Sequence, residues 1–311
     1  MKNIRKLVRR SSLIFPVNVQ RFVEKASTRG ADCLIMDLED SVPREEKENS
    51  RKLVKDYIPI VGGGGSDVAV RINSPLEEAE KDLKASVWPG LTYIALPKVE
   101  SREYVILIDN MISMLEVNRG IKKGAIQISV SVETALGVTK AFEIASASPR
   151  IVSIGVGAED LTQEMGIKTS KEGNELWYAR SKVLMDAYAA GIQPMGLIGV
   201  EPFTWDEPEK FYEAAVRSRQ LGFMGAQSIH PAPIPYLNQG FSIPQSEVLQ
   251  MRKELAAFEV GLSQGIASVS MDGRMIDIAS AERCKKILER ADAIEAMENR
   301  KRQALSESLN K

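Results

Sequence analysis

Acidic side chains in this sequence follow short apolar segments, at the point where each segment ends. Six of them lie at three such ends, namely Asp37, Glu39, Asp40, Glu133, Glu159 and Asp160. Apolar segments of this length are typical of buried parallel strands. A single acid in this position usually caps the next helix. Six acids at three strand ends favour a binding site for a hard cation such as Mg2+. Glu133 and Asp160, which come from neighbouring strands, suit that site best.

Basic residues follow two other segments. Arg71 follows Val68–Val70, where it could clamp a substrate carboxylate or pair with one of the acids; the pattern favours neither. Lys98 could form a Schiff base, although such a lysine more often pairs with acids. His230 is the single histidine, which argues against a multi-histidine zinc site; we expect it to be structural. Asp272 belongs to a common Asp-Gly turn.

Eight strand candidates alternate with seven helices along the chain. The strands are Ser12–Val17, Cys33–Leu38, Asp67–Asn73, Tyr93–Leu96, Ile126–Val132, Ile151–Val156, Met195–Val200 and Ala226–Ile229. Alternation of this kind predicts a parallel sheet. Eight strands favour a closed (β/α)8 TIM barrel, which places its active site at the carboxyl ends of the strands. The first strand lacks the GxGxxG that a dinucleotide-binding fold would carry.

The sequence predicts two regions, a barrel over residues 1–240 and a C-terminal extension over 241–311. The extension reads as a helix over Gln245–Gln264, a hairpin around Asp272 and a last helix over Ser280–Leu305. It has too little core to fold alone. We expect this helix-hairpin-helix extension to pack on its own barrel or on a neighbouring subunit.

Composition narrows the class of protein. The net charge of −1 provides no basic surface for nucleic acid. No apolar stretch is long enough to cross a membrane, and the basic N-terminus lacks the features of a signal peptide. Two cysteines, Cys33 and Cys284, cannot make a disulfide framework, and Cys33 reads as a buried small side chain. We therefore expect a cytoplasmic protein.

Several blocks of the sequence resemble a known family over about Arg9 to Arg290. They include D-L-E-D-S-V-P, L-P-K-V-E-S, V-E-T-A-L-G-V, G-A-E-D-L-T, Y-A-R-S, I-H-P and S-V-S-M-D-G-R-M-I-D. Together they resemble the citrate lyase beta subunit, malyl-CoA lyase and citramalyl-CoA lyase group of the HpcH/HpaI aldolase superfamily. The resemblance implies a (β/α)8 barrel, a homotrimer or hexamer, and Mg2+-dependent cleavage or formation of a C–C bond between an oxo acid and an acyl-CoA.

The resemblance also implies roles for individual residues. By matching motifs, the metal ligands are Glu133 and Asp160, and the clamp for the oxo-acid carboxylate is Arg71. The remaining roles are those of supporting acids (Asp37 and Glu39), basic residues near the CoA entrance (Arg21 and Lys25) and a general acid/base donated by a neighbouring subunit (Asp272). In the family this last aspartate exchanges a proton with the thioester half of the substrate.

Two positions depart from the family pattern on the CoA side. Val17 stands where the family has a glycine, and Ala226 stands where it often has a lysine. These departures leave open a malyl-CoA thioesterase or a CoA-independent 2-oxo-acid aldolase. A paralogue that binds ligand without turnover is the non-enzyme alternative, and recruitment to a larger lyase complex also stays open. We expect a Mg2+-dependent lyase that cleaves or forms a 3-hydroxy-dicarboxylyl-CoA type thioester.

Overall fold

Eight parallel strands form one sheet in the computed structural model, which describes residues 4–170, 172–200 and 206–309. The strands are β1 Ser11–Pro16, β2 Cys33–Asp37, β3 Asp67–Arg71, β4 Tyr93–Leu96, β5 Gln127–Val132, β6 Ile151–Val156, β7 Gln193–Met195 and β8 Ala226–Ser228. Neighbours pair in the order β7-β6-β5-β4-β3-β2-β1-β8. Consecutive strands are therefore adjacent in space, and β8 returns to β1.

Two backbone hydrogen bonds join the ends of this sheet. The N–H of Gly196 donates to the carbonyl of Gly225 at 2.9 Å, and the N–H of Met224 donates to the carbonyl of Pro194 at 3.0 Å. They connect the chain next to β7 with the chain next to β8, so the eight strands form a nearly closed ring. This arrangement confirms the predicted (β/α)8 barrel.

Helices lie between successive strands. Those up to β8 are α1 Gln20–Ala26, α2 Lys47–Gly62, α3 Leu76–Ser86, α4 Arg102–Asn118, α5 Ala135–Thr139, α6 Ala141–Ala145, α7 Ala158–Met165, α8 Trp177–Ala190 and α9 Lys210–Leu221. Local chemistry sets their ends. The Ser101 side chain accepts the N–H of Tyr104 and begins α4, while Gly191, at a φ of 68°, ends α8. None of the helices in the described ranges could span a membrane.

The strands alternate between an outer and an inner core. In β2, Leu34 and Met36 pack with the helices in the largest apolar cluster, whereas Cys33 and Ile35 belong to a small cluster formed by alternate strand residues. The Cys33 thiol donates to the Tyr93 hydroxyl at 3.0 Å, and burial raises the pKa of the thiol to about 12. Cys33 is thus a buried small side chain, as predicted.

The chain divides into two compact units. Arg9–Phe241, with short segments at both ends of the chain, forms the first, and Arg5–Val8 with Ser242–Arg300 forms the second. The helices after β8 are α10 Ile234–Gly240, α11 Gln245–Ser263 and α12 Ile278–Leu309.

A hairpin of β9 Val269–Met271 and β10 Arg274–Ile276 lies in the second unit. Its turn residues, Asp272 and Gly273, have φ values of 50° and 74°, as a type I′ turn requires. This confirms the hairpin expected around the Asp-Gly pair. Its Ile276 packs with Phe258 and Ala281, which ties the hairpin to α11 and α12.

Strand seven differs from its predicted bounds of Met195–Val200. The strand ends at Met195, because the following residues turn towards α9. The N–H of Ile198 donates to the Ser218 hydroxyl of α9 at 2.9 Å, and the Ile198 side chain packs with Phe211 and Phe223. The apolar residues after Met195 therefore pack against α9 and do not extend the sheet. Phe203 and Trp205, which follow this segment in the sequence, lie outside the described residues.

Candidate active site

The carboxyl edge of the barrel brings together the charged residues expected there. Asp37 and Arg71 end β2 and β3, Lys98 and Glu133 follow β4 and β5, and Asp160 lies in the first turn of α7 after β6. A cavity of about 470 Å³, the β5–β6 cavity, is lined by side chains that include Lys98, Glu133 and Asp160. These five side chains therefore lie together at the carboxyl end of the barrel, which we call the mouth.

Asp37 and Arg71 form a bidentate ion pair. Nε of Arg71 lies 2.7 Å from Oδ1 of Asp37, and Nη2 lies 2.7 Å from Oδ2. The Asp37 carboxylate also accepts the N–H of Glu39 at 3.0 Å and the N–H of Ser41 at 3.1 Å. Burial alone would raise the pKa of Asp37, but the hydrogen bonds and the charge of Arg71 lower it. Asp37 is therefore ionised and holds the guanidinium in one orientation.

The N–H groups on Nη1 of Arg71 remain available to hydrogen-bond a ligand. It lies 3.1 Å from Oε2 of Glu39, yet that buried oxygen has no hydrogen-bond partner among the described residues, so the contact is an ion pair without hydrogen-bond alignment. The Arg71 side chain is 24% exposed. A carboxylate entering the mouth can thus reach a guanidinium that Asp37 has already fixed.

Lys98 connects acids from two sides of the mouth. Its Nζ lies 2.9 Å from Oε1 of Glu39, 3.0 Å from Oδ2 of Asp40 and 3.6 Å from Oδ1 of Asp160. The backbone of Lys98 has a φ of 52°, a strained conformation of the kind that clusters at functional sites. Burial alone would lower the pKa of Lys98, but Glu39 and Asp40 raise it. The lysine stays protonated, which favours ion pairing over a Schiff base.

Glu133 and Asp160 interact in the β5–β6 cavity. Glu133 is 5% exposed, and its pKa is raised to about 8 by burial and by the charge and hydrogen bond of Asp160, against a lowering by Ser131. A Cβ built on Gly157 would lie 2.5 Å from Cγ of Glu133, so the carboxylate occupies space that only glycine leaves open. A divalent cation between these two side chains would offset the repulsion of their charges.

The donor set fits Mg2+ rather than a multi-ligand transition-metal site. Across the described residues 4–170, 172–200 and 206–309, the structure has no group of three or more His, Cys, Asp or Glu side chains arranged to hold a metal ion. Mg2+ needs only one or two carboxylates, because waters and substrate complete its octahedron. Glu133 and Asp160 would supply those two ligands.

Several lining residues were missed by the sequence analysis. Gln163 and Glu164 line the β5–β6 cavity with Asp160, and Oε2 of Glu164 accepts the N–H of Ala135 at 2.6 Å. The spacing of Asp160, Gln163 and Glu164 is i, i+3 and i+4, which places them on one face of a helix. That spacing was the available signal, but α7 was not predicted as a helix.

The other candidate residues are not among the side chains that line the β5–β6 cavity. Arg21 and Lys25 lie on α1 with exposed side chains. Asp272 is exposed at the hairpin tip of the second unit. Nδ1 of His230 accepts the N–H of Ala232 at 3.2 Å, a local contact that agrees with a structural role.

Taken together, the barrel and its carboxylate pair define a class: (β/α)8 enzymes with an acidic site for a hard cation at the carboxyl edge. Comparison with known proteins narrows that class. The model of the HpcH/HpaI aldolase/citrate lyase family matches residues 10–231. The chain belongs to this family, as its motifs predicted.

Two relatives align with this chain over most of the length of both proteins. The chain is 34% identical over 288 residues to the citrate lyase subunit beta of Leuconostoc mesenteroides, covering 92% of this chain and 94% of the relative. It is 30% identical over 302 residues to the L-malyl-CoA/beta-methylmalyl-CoA lyase of Rhodobacter capsulatus, covering 91% and 94%. Both relatives are lyases by name, which confirms the predicted enzyme class.

Solved structures resemble the fold over three quarters of this chain or more. The protein CitE from Mycobacterium tuberculosis, in complex with magnesium, acetoacetate and coenzyme A, superimposes with a TM-score of 0.71 at 26% identity, covering 92% of this chain and 99% of that one. A citrate lyase beta subunit from the same organism, complexed with oxaloacetate and magnesium, superimposes with a TM-score of 0.60 at 27% identity, covering 77% and 99%.

Proposed function

We propose that this protein is a Mg2+-dependent carbon–carbon lyase that converts a 3-hydroxy-dicarboxylyl-CoA type thioester into an acyl-CoA and a 2-oxo acid, or catalyses the reverse condensation. The observation that carries the proposal is one mouth holding both a carboxylate pair, Glu133 and Asp160, and a pre-oriented guanidinium, Arg71. The first suits a hard cation and the second suits a substrate carboxylate. Relatives named for citrate and malyl-CoA cleavage support the same reaction class.

The binding half of the mechanism rests on residues of the barrel. When bound by Glu133 and Asp160, Mg2+ would polarise the carbonyl of the oxo acid as a Lewis acid. Arg71, fixed by Asp37, holds the carboxylate of that acid through its Nη1 donors. Lys98 stays protonated, so the mouth keeps a second positive charge, 3.6 Å from Asp160.

Proton transfer at the thioester half is assigned to Asp272 of a neighbouring subunit. In condensation its carboxylate takes a proton from the α-carbon of the acyl-CoA, and in cleavage it returns that proton to the enolate. The exposed carboxylate on a two-residue turn supports this role, because a short turn presents it with little conformational freedom. The role implies a homo-oligomer, which we propose to be a cytoplasmic trimer or hexamer.

The two departures from the family pattern are compatible with a CoA thioester as substrate. Val17 and Ala226, which depart from the family pattern, are 0% and 2% exposed. Neither side chain projects into the open mouth, so neither blocks a thioester there. Arg21 and Lys25 on the exposed side of α1 are the proposed contacts for the CoA phosphates.

The test combines calorimetry with a product assay. Mg2+ is titrated first, then oxaloacetate, pyruvate or glyoxylate, then acetyl-CoA, propionyl-CoA or free CoA. Metal-dependent oxo-acid binding followed by thioester binding, together with release of an oxo acid from a 3-hydroxy-dicarboxylyl-CoA substrate, is the expected result. Glu133→Gln should lose the metal-dependent binding. Oxo-acid binding without CoA affinity would instead indicate a plain aldolase. Failure of the wild type to bind Mg2+, or equal Mg2+ affinity in the wild type and Glu133→Gln, would overturn the metal site.

A further inference from the structure

A second cavity of about 490 Å³ lies beside the β5–β6 cavity in the barrel unit. This β2–β3 cavity is lined by residues of the loops after β2 and β3 together with Lys98, and Ser74 and Lys98 line both cavities. Its charged lining is Arg44, Lys47, Lys98, Glu39 and Asp40. Cations outnumber acids here, whereas acids outnumber Lys98 in the β5–β6 cavity.

Among the described residues, two of these cations, Arg44 and Lys47, have no carboxylate partner. The guanidinium of Arg44 makes no hydrogen bond or ion pair within that part of the chain. The Nζ of Lys47 donates to the carbonyls of Leu38 and Glu39 at 2.8 and 2.9 Å, which fixes the ammonium but leaves its charge without a counterion.

The other charges of this cavity are already matched to one another. Lys98 pairs with Glu39 and Asp40, and no acid of the lining remains to neutralise Arg44 and Lys47. The held ammonium of Lys47 and the guanidinium of Arg44 both lack a counterion. Uncompensated positive charges of this kind raise the local concentration of anions in a concave site. Arginine in particular binds carboxylate and phosphate through two parallel hydrogen bonds.

We propose that the β2–β3 cavity is an anion-binding site, beside the β5–β6 cavity, that takes a carboxylate or phosphate group on Arg44 with Lys47 as a supporting charge. Two sources can supply that group. One is a free small anion. The other is the far carboxylate of a dicarboxylic oxo acid in the β5–β6 cavity, because Ser74 and Lys98 border both spaces. The site does not depend on lyase activity, so its test uses binding alone.

The first arm of the experiment uses metal-free protein. Inorganic phosphate and malonate are titrated calorimetrically into the wild type, Arg44→Gln and the control Arg29→Gln. Arg29 is exposed and lies outside the cavity lining, so the control removes the same charge from another surface. We expect Arg44→Gln to weaken anion binding about tenfold, as the loss of a charge-assisted hydrogen bond does, and Arg29→Gln to bind as the wild type does.

The second arm distinguishes the two sources. Oxaloacetate and pyruvate are titrated in the presence of Mg2+ into the same three proteins. A free-anion site shows Arg44 dependence in the first arm. A substrate subsite shows a loss of oxaloacetate affinity in Arg44→Gln with pyruvate unchanged. Either result supports the site. The proposal is overturned when neither arm depends on Arg44, or when Arg29→Gln weakens binding as much as Arg44→Gln, and circular dichroism of the variants excludes misfolding as the cause.

Discussion

Glu133 packs directly on the backbone of Gly157, with Cγ 2.5 Å and Cδ 2.7 Å from the position that a Cβ would take. Gly157 also precedes α7, the helix that carries Asp160. One glycine therefore makes room for the first proposed metal ligand and positions the second. Its φ of −79° is accessible to any residue, so the requirement is for space and not for backbone freedom.

Gly157→Ala should displace the Glu133 carboxylate and keep the fold, because the clash falls on a side chain that can rotate. We expect Mg2+ affinity to fall about 10- to 100-fold, the range seen when residues that orient metal ligands are changed. Calorimetric titration with Mg2+ measures the loss. Gly120→Asn is the control, since a Cβ there meets nothing within 4 Å and asparagine tolerates its φ of 66°. Equal Mg2+ affinity in wild type and Gly157→Ala would contradict the ligand assignment.

Arg71→Lys should weaken oxo-acid binding about tenfold or more while Mg2+ binding is retained. Lysine keeps the charge but cannot span both oxygens of Asp37 and still present donors to a substrate. Calorimetry with pyruvate in saturating Mg2+ gives the oxo-acid affinity, and a separate Mg2+ titration of the same variant is the control. Unchanged pyruvate affinity would show that the Arg71 guanidinium pairs with Asp37 but does not bind the oxo-acid carboxylate.

The barrel was predictable because its signals are local. Strands β4 and β6 have the predicted bounds, Tyr93–Leu96 and Ile151–Val156, since each is a short apolar run with polar or small residues on both sides. The acids and Arg71 at the strand ends were predictable for the same reason. Once strands are parallel, their carboxyl ends meet at one edge of the barrel.

Two features depended on contacts that the sequence does not encode locally. Helix α7 has eight residues and begins directly after β6, so its acids read as a strand tip rather than as one helical face. Lys98 contacts Glu39, Asp40 and Asp160 from a left-handed backbone conformation, which is unusual for lysine. The sequence pattern predicted that Lys98 lies at the mouth, but it did not predict which acids pair with it.

Lys98→Met should destabilise the metal-free protein at neutral pH. Glu39 is 4% exposed, and loss of the ammonium at 2.9 Å leaves its carboxylate with Arg71 alone. We expect the free energy of unfolding to fall by about 1–3 kcal/mol, the usual cost of leaving a buried charged group short of a partner. Urea denaturation measures it. Lys84→Met, which breaks the exposed pair with Glu80, is the control and should cause no measurable change.

The raised pKa of Glu133 predicts how stability changes with pH. The folded state holds a proton on Glu133 up to about pH 8, whereas the unfolded chain releases it near its ordinary value of 4.5. Between these values the folded state binds more protons, so the stability of the metal-free protein should fall as pH rises. Urea denaturation in the presence of a chelator at pH 5 and pH 8 gives the slope. Glu133→Gln should reduce the change in the free energy of unfolding between these two pH values. An equal change in that variant would show that another group causes the pH dependence.

Asp272→Asn should lower turnover strongly and leave Mg2+ and oxo-acid affinity nearly intact, because the carboxylate lies at an exposed hairpin tip and not among the metal ligands. Loss of a general acid/base typically costs about 10²- to 10⁴-fold in rate. The product assay measures turnover, and calorimetry measures binding. Equal losses in both would contradict the assignment of Asp272 to proton transfer.

Co-expression of two inactive variants shows which subunit supplies this aspartate. Asp272→Asn lacks the proton carrier, and Glu133→Gln lacks a metal ligand. If Asp272 acts on a neighbouring subunit, mixed oligomers contain some mouths with an intact Glu133 facing an intact Asp272, and part of the wild-type turnover returns. If Asp272 acts within its own chain, every mouth keeps one defect and turnover stays at the level of the separate variants. Coexpressed Asp272→Asn with a second Asp272→Asn chain is the matched control, and it should be inactive in both cases.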